Sequence, residues 1–500
     1  MNSKSEIGAE TRPPIIVVMG HIDHGKTTLL DKIRNSNVAE KETGGITQHI
    51  GAYKIQTERG GITFIDTPGH EAFSKMRSRG ARVADIALLV VAGDDGVKPQ
   101  TEEALKVINE ANLPFIVVIN KIDRENSDPE KAKKELGDKG VIFEEWGGKV
   151  PVVKVSAKTG QGIPELLEMI LLLAEIDGLT YDSSKSAEGV VIEAHLDSQR
   201  GQSATLLLRD GQLKKGDWIL AGDAKVKTKI LEDYRGEPVN NALASDPVRV
   251  VGFDKSVKAG AVFKSFNSKE ELDDLLKSSQ AQASLRTPYQ EGEKVVPIIL
   301  KADVSGSLEA IEGQIARIDL SDYSLAILRS EVGTITEDDI KLASGNKNSL
   351  VIGFRVKIDK AAIATAERFG VTVMNFNIIY ELEDWIKKEL ERIIGEEKVR
   401  KILGVVRIIK IFKETGSKKI VGGVVESGGI YSQKRFTLLR RNFPLGEGKI
   451  SELQAGKIKV NEILSGNEFG ALVEIAIEVV QGDRLEIFDE ESVWRNLTKI

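Results

Sequence analysis

The chain has 500 residues, 41% hydrophobic and 29% charged, with a formal net charge of −6. That length supports about three or four domains, each with its own core, and the slight acidity gives no general reason to expect a nucleic-acid partner. There is no cysteine, which excludes disulfides, thiol catalysis and cysteine-ligated zinc or iron–sulfur centres and fits a reducing, cytoplasmic setting. The polar start Met1-Asn-Ser-Lys-Ser-Glu has no signal-peptide core, and no run of about 18 apolar residues predicts a membrane helix.

Residues 1–12 read as a flexible arm. From 13 to 182, apolar strands (15–19, 62–66, 86–92, 115–119, 150–155) alternate with amphipathic helices (26–35, 100–111, 129–137, 163–175). This rhythm predicts a mostly parallel sheet with helices on both faces, which binds ligands at the carboxyl ends of its strands. After a polar linker that begins at Tyr181, short strands with glycine turns predict a β-barrel over 187–266. A charged connector covers 268–291, and a second, smaller α/β domain without a phosphate loop covers 292–378. A linker helix is expected over 379–403, with Leu382, Trp385, Ile386, Leu390 and Ile393 at helical spacing. It suits either a rigid spacer or a helix packed on its own domain. β-type runs over 404–490 predict a second barrel.

Four motifs fall at predicted strand ends. The first is Gly20-His21-Ile22-Asp23-His24-Gly25-Lys26-Thr27, running into Thr28. Glycine at both ends of a turn, then Lys and Thr, is the phosphate-cradling pattern. Backbone N–H groups and a helix N-terminus face the anion, Lys26 reaches the β- and γ-phosphates, and the Thr27 hydroxyl ligates Mg²⁺. The second is Asp66-Thr67-Pro68-Gly69-His70. Asp66 suits the metal, the Gly69 N–H suits a γ-phosphate, and His70 stands where many GTPases place a water-orienting glutamine. The third is Asn120-Lys121-Ile122-Asp123. A carboxylate there accepts from the two N–H donors of guanine, a pair that adenine lacks; leaving such groups unpaired costs about 1–3 kcal/mol each. The fourth is Ser156-Ala157-Lys158, whose backbone N–H suits the guanine carbonyl. Together they predict a P-loop GTPase domain that binds GTP or GDP with Mg²⁺. Between the first two motifs, Thr43-Gly-Gly-Ile-Thr-Gln-His-Ile-Gly51 reads as a switch, with Thr47 as a further metal ligand when γ-phosphate is present. Four of the five histidines fall within the first seventy residues, more than packing needs explain.

These motifs, with Gly44-Gly-Ile-Thr-Gln-His-Ile-Gly-Ala-Tyr53 and Val90-Val-Ala-Gly-Asp-Asp-Gly-Val97, resemble bacterial translation initiation factor 2 of the translational GTPase superfamily. The likeness continues through Gly189-Val-Val-Ile-Glu-Ala-His-Leu-Asp197 and Leu300-Lys-Ala-Asp-Val-Ser-Gly-Ser-Leu-Glu-Ala310 and covers almost everything from 13 to 490, without the long N-terminal extension common in the family. It implies a monomeric, ribosome-stimulated GTPase with no DNA or membrane partner. The GTP form would help place formylmethionyl initiator tRNA on the small ribosomal subunit and promote joining of the large one, and hydrolysis would permit release. The family's last barrel holds the formylmethionyl end of the tRNA. Where members place cysteines in that pocket this sequence has Gly423 and Phe469, followed by Gly470, and Arg440 stands where the family has an arginine beside it. The basic tract near 453–459 is thinned to Lys457 and Lys459, but residues 401–450 hold 11 Lys/Arg against 3 Asp/Glu, a balance suited to RNA backbone. Two rivals are an elongation-type GTPase carrying a special tRNA and a non-hydrolysing RNA-binding module. The switch segment and the small α/β domain argue against the first; Lys26, Thr27, Asp66 and His70 together argue against the second.

Overall fold

The computed structural model describes residues 9–34, 47, 49–197, 200–278, 294–318, 323–346, 348–394, 397–456 and 458–493. Most of the switch (43–46 and Gln48), the start of the arm, and Lys457 therefore lie outside the described residues. The chain divides into two compact units, one reaching to Asp384 and one running from Trp385 to Lys499.

The first unit opens with a six-stranded sheet in the order Gly51–Gln56, Gly61–Asp66, Ile15–Gly20, Ile86–Ala92, Phe115–Asn120, Val152–Lys154. The first pair is antiparallel and the rest are parallel. Ile15–Gly20 and Ile86–Ala92 are buried along their whole length, as expected for parallel strands covered on both faces. The helices are Lys26–Arg34, Ser74–Val83, Pro99–Glu110, Pro129–Asp138 and Ile163–Asp177. Gly80 lets Ser74–Val83 lie close to the sheet, since a Cβ there would stand 3.0 Å from both Thr67 and Val17 side chains.

The expected arm needs correction at its end. Ala9–Thr11 is a strand paired with Thr180–Asp182, and Arg12 donates to both carboxylate oxygens of Asp85 at 2.6 and 2.7 Å. A buried two-point ion pair of this kind is a poor match for a mobile tail.

The next domain is a seven-stranded antiparallel sheet with a two-stranded addition. Its terminal strands, Ala224–Lys227 and Ile230–Asp233, send Val226 and Leu231 into the same core as the central Leu206 and Val250, so the sheet wraps around one interior. Thr63 of the GTPase sheet donates to the Ser245 carbonyl at 2.6 Å, and Lys54 pairs with Asp246 at 2.7 Å. Within the connector, Lys269–Ser278 is helical. The small α/β domain has a four-stranded parallel sheet ordered Tyr323–Val332, Lys294–Ala302, Leu350–Phe354, Thr372–Phe376.

The linker helix is Ile379–Ile394, shorter than expected, with Ile379, Leu382, Ile386 and Leu390 buried along one face. Strand structure begins at Glu397, not 404, because Glu397–Thr415 pairs from its first residue with a partner that runs to Val493. That pairing is non-local, and the local sequence carries no sign of it. The last domain closes on itself. Glu397–Thr415 bonds to Arg484–Val493 on one side and Lys418–Tyr431 on the other, completing a ring through Arg435–Arg440, Phe443–Ala455 and Glu468–Glu474.

Candidate functional site

The phosphate loop connects a fully buried strand to the helix Lys26–Arg34. Gly20 has φ +142, and a Cβ would meet the Val90 carbonyl oxygen at 2.3 Å. Gly25 has φ +83, and a Cβ would stand 2.5 Å from Asn120 Nδ2. Neither position admits a side chain. Lys26 Nζ donates to the carbonyls of Gly20 and His21 at 2.9 and 2.7 Å. Burial lowers its pKa to about 8, partly offset by Asp66 and Asp23, so the ammonium is poised to gain from an incoming polyanion. The second motif lies against it, since a Cβ on Gly69 would sit 2.7 Å from Lys26 Nζ.

Thr27 and Thr47 hydroxyl oxygens are 2.6 Å apart. With Asp66 at the end of the adjacent strand, this is an all-oxygen donor set of the kind Mg²⁺ takes. A cavity of about 480 Å³ is lined by Ile22, Asp23, Gly25, Lys26, Thr27, Thr28, Thr47, Gly69, His70, Lys121 and Arg124. The first three motifs and the switch therefore converge on one space. Of the other expected residues, Thr67 turns its hydroxyl to the Val18 carbonyl at 2.7 Å and Pro68 gives its carbonyl to Arg77. His24 is fully buried with Nδ1 3.4 Å from the Val90 carbonyl, edge-on to His21. Burial drives its pKa down to about 4. At His24, packing does explain part of the histidine crowding.

His70 caps a short 3-10 turn, Glu71–Phe73, and its Nδ1 accepts from the Ala72 N–H at 3.0 Å. Burial, aided by Arg77, lowers its pKa to about 4 against the pull of Glu71. The ring is therefore neutral at pH 7, with Nδ1 as acceptor and the proton on Nε2. Tyr380 meets it edge-on, centroids 4.3 Å apart.

At the third and fourth motifs, Ser156 Oγ donates to Asp123 Oδ1 at 2.6 Å and itself accepts from Thr159 N at 3.1 Å. The Ser156 bond keeps the Asp123 carboxyl below its usual range. Asn120 is a brace. Its Nδ2 donates to the His24 carbonyl at 2.9 Å, and its Oδ1 accepts from Ala157 N at 3.0 Å. One side chain ties the phosphate loop to the 156–158 turn.

Sequence reasoning missed two supports. Arg77, 1% exposed, donates to the carbonyls of Pro68 and His70 and pairs with Glu103. An arginine on the inner face of Ser74–Val83 is the anomaly that would have flagged it. Gln100 accepts from the Ile22 N–H at 2.9 Å and carries no sequence signal beyond its place in the first turn of Pro99–Glu110.

In the last barrel, Gly423 is paired with Phe469 and Gly422 with Gly470. A pocket of about 580 Å³ is lined by Gly423, Phe469 and Gly470, with Lys410, Phe412 and Glu468 among its other walls. Arg440 is not part of that lining. Its Nε and Nη2 donate to the two carboxylate oxygens of Asp483 at 2.9 Å, and Nη2 also donates to the Glu478 carbonyl at 3.0 Å. It closes a loop of the barrel.

A P-loop sheet with these four motifs, followed by a wrapped β domain, defines a translational GTPase. Residues 11–175 match the elongation factor Tu GTP-binding domain, 186–266 elongation factor G domain 2, and 269–387 translation-initiation factor 2. Translation initiation factor IF-2 of Acinetobacter baumannii strain AYE is 39% identical over 97% of this chain, as is that of strain ACICU. The chain spans 56% of the length of these relatives. Among solved structures, GDP-bound aIF5B from Aeropyrum pernix is 29% identical, covering 96% of this chain and 92% of that one with a TM-score of 0.48. The chain belongs to the translation initiation factor 2 family.

Proposed function

We propose that the chain is a ribosome-stimulated GTPase of translation initiation. In this reading the GTP form places formylmethionyl initiator tRNA on the small subunit and promotes subunit joining, and hydrolysis lets the factor leave. The observation that carries the enzymatic part is the convergence of Lys26, Thr27, Thr47, Gly69 and His70 on one cavity.

On nucleotide binding, Lys26 exchanges two loop carbonyls for phosphate oxygens. Thr27, Thr47 and Asp66 would hold Mg²⁺, which supplies charge neutralisation at the β- and γ-phosphates. Asp123, oriented by Ser156, reads the guanine edge. His70, with Nδ1 engaged, offers an Nε2–H. A water accepting that hydrogen bond keeps a lone pair for attack, so His70 orients the water and does not remove its proton in this arrangement.

The barrel pocket is the place for the formylmethionyl group. Gly423 and Phe469 make its wall glycine and aromatic ring, while Arg440, bound to Asp483, serves the barrel itself. The cytoplasm is the compartment this work requires.

The test is GTP turnover by the full chain with and without ribosomes and charged initiator tRNA. Turnover stimulated only by ribosomes supports the reading; turnover indifferent to them refutes it. Equal affinity for formylated and unformylated initiator tRNA would remove the barrel assignment and leave the GTPase intact.

A further inference from the structure

Two residues beyond Thr47 stands His49, whose ring leaves the nucleotide cavity and enters the neighbouring domains. Its Nε2 is 2.9 Å from Asp303 Oδ2 and 3.1 Å from Arg355 Nη1. Asp303 and Arg355 follow adjacent parallel strands, Lys294–Ala302 and Leu350–Phe354, at their carboxyl ends. Both are held firmly. Asp303 N donates to the Phe354 carbonyl at 3.1 Å, and Asp303 Oδ1 accepts from Val304 N and Ser307 Oγ at 2.9 and 3.0 Å. Arg355 sits at φ +55 with its N–H on the Phe376 carbonyl at 2.8 Å. A left-handed arginine costs about 1 kcal/mol or more and persists only where surrounding bonds over-determine it.

The wrapped β domain supplies the third side. Glu193 accepts from the Ile50 backbone N–H, and burial pushes its carboxyl up to about 7. On the same strand, Ala194 N donates to Ser305 Oγ at 3.3 Å and His195 bridges to Val304. The strand that carries Glu193 is thus bonded to the helix start that follows Asp303. Three domains of the first unit meet around one imidazole.

We propose that His49 is a positioning residue for GTP hydrolysis, seated between Glu193, Asp303 and Arg355 so that the Thr47 hydroxyl is fixed beside Thr27. The neighbouring domains thereby set how completely the site forms. The inference rests on Thr47 acting as a metal ligand in the GTP form. Two residues of chain span at most about 7 Å, so a His49 held in its seat confines Thr47 to that reach.

The experiment uses the full chain with Mg²⁺ and a non-hydrolysable GTP analogue or GDP. It reads amide hydrogen exchange over residues 47–55, analogue affinity and single-turnover hydrolysis on ribosomes. The wild type should exchange more slowly with the analogue than with GDP. His49→Ala and Asp303→Asn should each abolish that difference and slow single turnover about tenfold, with analogue affinity within about threefold. The double variant should be no worse than either single one. Asp303→Asn keeps an oxygen for Val304 and Ser307, so it guards against simple misfolding of the helix start. Wild-type exchange and rate in His49→Ala, or additive effects in the double variant, overturn the proposal. A wild type with equal exchange in both nucleotides overturns it too, and then the fault lies in the reading of Thr47.

Discussion

The nucleotide cavity and the barrel pocket are of similar size, about 480 and 580 Å³, yet they are built in opposite ways. The first is made of loops at strand ends, with glycines at forced φ and polar groups held by specific hydrogen bonds. The second is made of strand faces, and its shape follows from which residues lie opposite each other, Gly423 against Phe469 and Gly422 against Gly470. A site of the first kind tolerates little change in residue type. A site of the second kind changes shape with any neighbour.

The sharpest test of this contrast is His70→Ala. GTP binding should survive, because the ring contacts neighbours that hold no phosphate, while ribosome-stimulated turnover falls about 10²–10⁴-fold, the range for a lost catalytic side chain. Near-normal turnover would remove His70 from the chemistry. Next comes a matched pair of glycine substitutions. Gly25→Ala forces a Cβ to within 2.5 Å of Asn120 Nδ2 at φ +83 and should weaken nucleotide binding about 100-fold, equivalent to about 3 kcal/mol. Gly423→Ala brings a Cβ to 2.1 Å from the Arg407 carbonyl. It should destabilise the barrel by about 1–3 kcal/mol in denaturant unfolding and leave GTP affinity unchanged. If both variants behave alike, the two sites do not differ as described.

Asp123→Asn should lower GTP affinity about tenfold or more by leaving a guanine donor facing a donor, and should move preference towards xanthosine triphosphate. Competition between the two nucleotides reads it directly, and an unchanged preference would sink the guanine assignment. The smallest effect concerns His24. Its folded pKa of about 4 lies below the ordinary value of 6.5, so between those limits the unfolded chain binds the extra proton. The stability it contributes is complete above pH 6.5 and is lost as pH falls towards 4. Unfolding at pH 5.5 against pH 7 should show a loss of about 1 kcal/mol from this group, and His24→Asn should reduce that slope.

The same contrast explains what could be seen before any coordinates. The strands expected at 86–92 and 115–119 are observed as Ile86–Ala92 and Phe115–Asn120, because continuous apolar runs buried on both faces advertise themselves. Gly51–Gln56 went unpredicted; it is an edge strand with only Tyr53 buried. Ser74–Val83 was missed because Arg77 and Gly80 interrupt the apolar pattern of its buried face, which also holds Met76, Ala81 and Val83. At the site, the residue types that the motifs single out (Lys26, Thr27, His70) come together on one cavity. Roles set by reach across the fold were not legible in the sequence: Asn120 as a brace, Arg77 under His70, Arg440 on Asp483. Each depends on where a distant carbonyl or carboxylate ends up, which no spacing rule contains.

Asn120 has one more consequence, for anyone wishing to re-engineer this protein. Asn120, in the same motif as the carboxylate proposed to read the base, also ties down the loop proposed to grip phosphate, so in that reading base preference and phosphate affinity are not independent dials. Substitution at 120 should change both at once, whereas Asp123, held by Ser156 at 2.6 Å, can be altered alone. A redesigned nucleotide preference therefore has one usable entry point.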